Sequence, residues 1–181
     1  MAQPDLRSYL ADLTKWDPKQ LMIVEDEIDS EFEATAIVHK MQKDPQYATF
    51  PAVLFKNIKG SPIPCLLNLH ATYERVSFAL GTNVAGMVEE YAKREGSPIP
   101  TTVVPSEKAP VHEVVLTGDD IDVTKLPTLV HQELDAGRYI TSAAAVSRDP
   151  DSGRLNAGIF RHQVQGPRQV GFMTNPAHQT S

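Results

Sequence analysis

Apolar positions along the first half of the chain change period twice. Leu6, Leu10 and Leu13 recur at helical spacing behind Asp5, whose carboxylate suits an N-cap, and Pro18 ends that stretch. The apolar-rich segment 21–28 predicts a strand. Ser30 followed by Glu33 has the spacing of a capping box, and the helix after it would place Phe32, Ala36, Ile37 and Met41 on one face. Residues 52–58 then read as a buried strand. Lys59-Gly60-Ser61-Pro62 turns the chain, and 63–69 reads as the partner strand, with Pro62 and Pro64 placing its start at an edge. Two helices follow. One covers 73–80 and is closed by Gly81. The other covers 84–95, capped by Asn83 and closed by Gly96, and would turn Val84, Met87, Val88 and Tyr91 inward.

Beyond residue 96 the character changes. Ser97-Pro98-Ile99-Pro100-Thr101-Thr102 is a proline-rich polar linker, which predicts a boundary between an N-terminal α/β domain (1–105) and a second domain (106–181). The second half shows strands rather than helices: a short one at 113–116, a turn at 117–120, then 139–147, 154–165 and 169–173. Asp149-Pro150-Asp151-Ser152-Gly153 is a hairpin loop, and Gly166-Pro167 turns the chain again. Such a meander suggests part of a barrel, and a small barrel needs more strands than remain. The expected class is therefore α+β: a mixed α/β domain followed by the first antiparallel strands of an incomplete barrel.

Composition narrows the function classes. The 181 residues carry a net charge of −6, with a pI near 5.5, which argues against a nucleic-acid partner because phosphate binding needs a basic face. The apolar run Ala52–Phe55 is far too short to span a bilayer, and the N-terminus lacks the apolar core of a signal peptide. Cys65 is the only cysteine, so an internal disulfide or a thiolate metal cage is excluded. These features predict an acidic, cytoplasmic globular protein.

The polar residues of the meander carry the candidate chemistry. Asn156, Arg161, His162 and Gln163 interrupt an otherwise apolar strand, and small residues surround them: Ala143, Ala144, Ala145, Ala157 and Gly158. Small side chains let a ligand approach peptide N–H groups, which suits phosphate or flavin; the alternative is a surface strand with a solvated arginine. His178 with Asn156 would offer nitrogen and oxygen donors suited to manganese or magnesium, unless His178 simply belongs to the chain end. His39, His70, His112 and His131 form no metal motif and read as structural or surface residues. Asp119, Asp120 and Asp122 read as a solvated turn, and Gly81–Gly86 lacks the context of a nucleotide loop.

Three stretches together resemble the UbiD-type decarboxylases, the 3-polyprenyl-4-hydroxybenzoate carboxy-lyase family. The first is Pro51 to Pro62 (PAVLFKNIKGSP), followed by Asn68-Leu69 and Glu74-Arg75-Val76 to Leu80-Gly81. The second runs from Ala109-Pro110 through Glu113 to Asp122 (EVVLTGDDID) to Leu126-Pro127. The third is Gly137-Arg138-Tyr139-Ile140-Thr141, then Asp149-Pro150 to Gly153, then Asn156 to Arg161 (NAGIFR). The resemblance implies a split, flavin-reductase-like β-barrel after the N-terminal domain. It also implies prenylated FMN, manganese, often potassium, and loss of carbon dioxide from an aromatic or α,β-unsaturated acid. In that family the modified flavin carries the difficult chemistry and the protein orients it.

By the same resemblance, Asn156 matches a metal-ligating asparagine and His178 a metal-ligating histidine. Arg161 matches the arginine beside the flavin in the catalytic ion-pair network. Gly158, Ile159 and Phe160 match the stretch whose backbone holds the cofactor, Thr141 a cofactor-contacting threonine, and Gln179 a further contact. Asn156 and Arg161 lie an odd number of positions apart, so an ideal strand puts them on opposite faces; a bulge at Gly158 would reconcile them. Family members are usually more than twice as long, and no residue here matches the general acid that returns a proton to the product. The expectation is an enzyme part, inactive alone, that works as a homo-oligomer or with a complementary subunit. A flavin-binding or assembly module without catalysis, and a plain structural domain, are the alternatives.

Overall fold

The computed structural model describes residues 5–173. The chain divides into two compact units. The first holds residues up to 26, 37–56 and 65–116; the second holds 27–36, 57–64 and the residues from 117 onward. The elements, in order, are α1 (Leu6–Trp16), β1 (Leu21–Ile28), α2 (Glu33–Lys43), β2 (Ala52–Ile58), β3 (Cys65–Leu67), α3 (Tyr73–Ala79), α4 (Met87–Glu95), β4 (Tyr139–Arg148), β5 (Leu155–Gly166) and β6 (Gln169–Phe172), joined by short 3-10 turns. They form a mixed α/β structure with two sheets, ordered β1-β2-β3 and β4-β5-β6.

In the first unit, α1 starts where the sequence places it. The Asp5 carboxylate accepts from the Ser8 backbone N–H at 2.8 Å, and Ser8 Oγ accepts from the Asp5 N–H at 2.9 Å, so two donors at the helix start are satisfied reciprocally. Trp16 stacks on Phe78 of α3 at 4.9 Å, and Tyr9 meets Phe78 edge-on at 5.7 Å. β2 is the middle strand and is buried on both sides: Ala52, Val53 and Phe55 have no exposed surface. That is why its sequence is a continuous apolar run rather than an alternation. Its partner is shorter than the sequence suggests. Only Cys65–Leu67 pairs, antiparallel, with Val53 opposite Leu67 and Phe55 opposite Cys65. Asn68 ends it by taking a positive φ of 65°.

Arg75 of α3 is fully buried and bonds no carboxylate among the described residues. Its guanidinium donates instead to Leu69 O (2.9 Å), Gln20 Oε1 (2.9 Å), Thr49 O (3.3 Å), Phe50 O (2.8 Å) and Asn68 O (3.1 Å). Phe50 and Asn68 both hold positive φ, and the Asn68 side-chain amide adds bonds to Phe50 O and Pro51 O. Burial pulls the Arg75 pKa below its ordinary value, opposed by Tyr9 and the Glu74 carboxylate. One cation thus ties two irregular turns, Gln20 and α3 into one polar knot.

Several sequence expectations fail here. α4 begins at Met87, not Val84, and Asn83 Oδ1 accepts from Gly86 N–H at 3.0 Å in the preceding turn. Its apolar stripe faces outward: Val88 is 74% and Tyr91 61% exposed. Helical spacing reveals a stripe but not what covers it. On α2, Ala34 and Met41 are buried while Ala36 is exposed, and Phe32 lies exposed just before the helix. Residues 113–116 form no strand and are exposed.

In the second unit, Ser30 does not cap α2. Its Oγ accepts from Arg138 Nη1 at 2.6 Å, and the Glu33 carboxylate accepts from Asp29 N–H at 2.7 Å instead. Arg138 also donates to Thr128 O and to Glu31 at 2.9 Å each. Val130 N–H donates to Ser30 O and Phe32 N–H to Val130 O, both at 3.0 Å. The meander β4-β5-β6 forms as predicted. Its hairpin loop is built by the Asp149 carboxylate, which accepts from the Asp151 and Ser152 N–H groups at 2.8 Å, with Gly153 at φ 69°. Among the described residues β4 pairs only with β5 apart from a bridge between Tyr139 and Leu129, and β6 reaches β5 only from His162 to Gly166. Much of both outer edges is therefore open.

Two expected outcomes follow from these bonds. Replacing Arg75 with Met fills most of its volume but removes five hydrogen bonds and leaves Leu69 O, Gln20 Oε1 and Thr49 O without a donor, so urea unfolding should show a loss of at least about 3 kcal/mol. Arg75→Lys, with three N–H groups, should recover only part of that loss. The Ser152 and Asp151 N–H bonds hold the Asp149 carboxyl below its ordinary pKa of 3.8. Its contribution to the hairpin should therefore be full above that pH and fade only as pH falls through the lower folded value, read from the Asp151 and Ser152 amide shifts.

Candidate functional site

From Leu155 to His162, β5 alternates. Asn156, Gly158, Phe160 and His162 are half-buried, while Leu155, Ala157, Ile159 and Arg161 between them are exposed. Asn156 and Arg161 thus stand on opposite faces. No extra residue occurs at Gly158, because the pairing runs evenly from Leu155 opposite Arg148 to Phe160 opposite Ala143. The irregularity lies across the ladder. Ile140 faces His162 and Ala143 faces Phe160, so Thr141 and Ser142 together oppose Arg161. The bulge expected on β5 is on β4, and it turns Thr141 toward the face that carries Arg161.

Gly158 has a different reason to be small. A Cβ there would overlap the Phe160 ring, which meets Phe172 edge-on at 5.0 Å, while His162 stacks on Phe172 at 4.9 Å. The Phe160 side chain therefore packs away from Arg161. Next to Gly158 and Ile159, β5 has no β6 partner among the described residues, so a ligand can reach that edge of the backbone.

Thr141 and Arg161 line one cavity of about 460 Å³ with His131, Gln132, Leu134, Asp135, Ala136 and Tyr139. That size lies in the range of roughly 300–1,000 Å³ common for small-molecule sites. The Arg161 guanidinium has no hydrogen bond or ion pair among the described residues, so its charge is free to meet an anion. Leading to it on the same face is a strip of Ala144, Val146, Ala157 and Ile159, with Val146 and Ile159 exposed. Small and aliphatic side chains beside an unpaired guanidinium suit a flat ring system carrying negative charge.

The wall at 131–136 escaped sequence reasoning. The Asp135 carboxylate accepts from the His131 and Gln132 N–H groups, both at 3.0 Å, and its oxygen lies 4.0 Å from His131 Nδ1. Gln163 Nε2 donates to Ala136 O at 2.8 Å, and Thr35 Oγ1 donates to His131 O at 3.2 Å. The i,i+4 spacing of His131 and Asp135 was the available signal, whereas His131 taken alone reads as a structural or surface residue. Asn156 does not line this cavity. His178 and Gln179 lie outside the described residues. A separate hollow of about 390 Å³ in the first unit is lined by Lys19, Met22, Gln46, Tyr47, Thr49 and Pro51 among others and contains none of the candidate site residues.

The family model of the 3-octaprenyl-4-hydroxybenzoate carboxy-lyase N-terminal domain matches residues 14–95, and that of the Rift-related domain of the same enzymes matches residues 82–181. The chain belongs to the UbiD family. A phenolic acid decarboxylase from Streptomyces sp. (strain D7) is 35% identical over 95% of this chain. An evolved dimeric form of the UbiD-class enzyme HmfF from Pelotomaculum thermopropionicum, solved with prFMN, superposes with a TM-score of 0.84 at 35% identity over 96% of this chain. The closed form of the vanillic acid decarboxylase ShVdcCD from Sedimentibacter hydroxybenzoicus gives 0.83 at 28% identity over 98%. This UbiD-family chain spans only 37% of the Streptomyces enzyme and 39% and 38% of the two solved chains.

Asp135 is expected to set the shape of the cavity wall. Asp135→Ala removes the acceptor of two backbone N–H groups, so hydrogen exchange at His131 and Gln132 should speed up by about tenfold or more. Asp135→Asn keeps one carbonyl oxygen in place and should stay close to the parent.

Proposed function

We propose that this chain forms the N-terminal part, or one subunit, of a prenylated-FMN-dependent (de)carboxylase acting on an aromatic or α,β-unsaturated carboxylic acid. The observation that carries the reading is the unpaired Arg161 at a cavity that Thr141 shares, at the end of a strip of small and aliphatic residues. The flavin ring would lie along Ala144, Ala157 and Ile159, with its polar groups toward the backbone edge at Gly158 and Ile159. Bound there, it would supply the electron sink that loss of carbon dioxide requires. Arg161 holds the acid's carboxylate or a neighbouring anion by charge-assisted bonds, and the 131–136 wall limits access of water.

The described residues alone do not hold manganese. Asn156 offers one amide oxygen, and no cluster of three His, Cys, Asp or Glu side chains is found among them. Potassium rests on the resemblance alone. Asp135 is committed to backbone N–H groups and is not proposed as the general acid. The split β-barrel would be completed by strands added at the open edges, from a complementary polypeptide or a second copy. Support comes from the open edges of β4 and β5 and from the short span of the relatives' length. A cytoplasmic location accords with one cysteine and with the lack, among the described residues, of a helix long and apolar enough to cross a membrane.

The test uses the purified 181-residue chain. FMN should bind, and Arg161→Ala should weaken it by about tenfold, the size of one charge-assisted bond. The chain with prenylated FMN, manganese and a panel of aromatic acids should release no carbon dioxide. Release would overturn the reading of a part that needs a partner. Failure to bind flavin, alone or with a partner that restores the longer family length, would overturn the flavin reading. Flavin binding with no activity even with such a partner would favour a non-catalytic module.

A further inference from the structure

A second hollow in the 27–36, 57–64 and 117-onward unit has an unusual donor balance. It measures about 180 Å³ and is lined by Ser30, Ile58, Lys59, Gly60, Ser61, Thr124, Leu126 and Arg138. The lining contains two cations, three hydroxyls and no carboxylate. Asp29 and Glu31 are not in the lining but pair with its cations: Lys59 Nζ reaches Asp29 at 3.3 Å and Arg138 Nη2 reaches Glu31 at 2.9 Å. Those bonds leave donors over. Arg138 has five N–H groups and spends three of them, on Ser30 Oγ, Thr128 O and Glu31. Lys59 has three and spends one on Asp29.

Of the three hydroxyls, Ser61 Oγ donates to Ile63 O at 3.3 Å and Thr124 Oγ1 donates to the Asp122 carboxylate, which leaves Ser30. Ser30 is only 8% exposed; its Oγ accepts from Arg138, and its own proton has no acceptor among the described residues. Thr128, whose carbonyl takes the same Arg138 nitrogen, has a buried Oγ1 with no partner among the described residues, although it does not line the hollow. Gly60, at φ 80° with open space beside its α-carbon, bares the turn backbone next to Lys59. The buried Ser30 hydroxyl would be satisfied by an acceptor in this space, and Lys59 and Arg138 bring two positive charges to the same lining.

We propose that this hollow binds a small oxyanion, a phosphate group being the best match, between Lys59, Arg138, Ser30 and the Gly60–Ser61 turn. A tetrahedral oxyanion presents several acceptor oxygens to a planar guanidinium, an ammonium and hydroxyls at once. The proposal is independent of the flavin reading, because none of these residues lines the Arg161 cavity.

The experiment titrates the full chain with inorganic phosphate and, separately, with phenyl phosphate at constant ionic strength, following backbone amide shifts. Saturable shifts at Gly60, Ser61 and Thr124 are expected. The first ligand alone would mark a free ion, the second alone a phosphate ester. Lys59→Gln, at an exposed position, and Ser30→Ala should each weaken binding by about tenfold. Arg138 is left intact because it pins residues 30 and 31. No saturable shift with either ligand, shifts spread over other surface cations, or binding unchanged in both variants would overturn the proposal.

Discussion

The alternation of β5 governs what the second unit presents. A strand has two faces and a period of two, so each residue of the Asn156–Arg161 run is assigned to a side before any ligand is considered. Arg161 falls on the exposed face with Ile159 and Ala157, while Asn156, Gly158 and Phe160 fall on the other. The extra residue on β4 then decides which neighbours share the face of Arg161. Because Thr141 and Ser142 both oppose it, Thr141 joins the arginine in one cavity.

Two arginines organise the irregular segments around the regular ones. Arg75 collects carbonyls from turns that take positive φ, and Arg138 collects Ser30, Glu31 and Thr128. In both cases the planar fork of donors reaches groups far apart in the chain, the Arg138–Ser30 bond spanning 108 residues. The resemblance to UbiD-type decarboxylases includes both arginines, yet the sequence alone suggested no role for either.

Legibility followed locality. Asp5 capping α1, the boundaries of β1 and β2, and the Asp149–Gly153 loop were readable because their causes lie within a few residues. The outward stripe of α4 and the missing strand at 113–116 were not, because apolar spacing does not say which surfaces meet. At the site, the candidates Thr141 and Arg161 were readable by resemblance, whereas the 131–136 wall was not: its anchoring bonds come from Thr35 and Gln163 as well as from Asp135.

The sequence by itself determined the family, the hairpin, most helix and strand spans, and the opposite parity of Asn156 and Arg161. These depend on local periodicity, turn chemistry and residue spacing. Only the tertiary structure decided that the bulge sits on β4, that Ser30 serves Arg138 rather than α2, and that His131 and Asp135 border Arg161. The physical reason is that strand register and long-range hydrogen bonds are set between segments, where many pairings satisfy the same local pattern and only packing selects one.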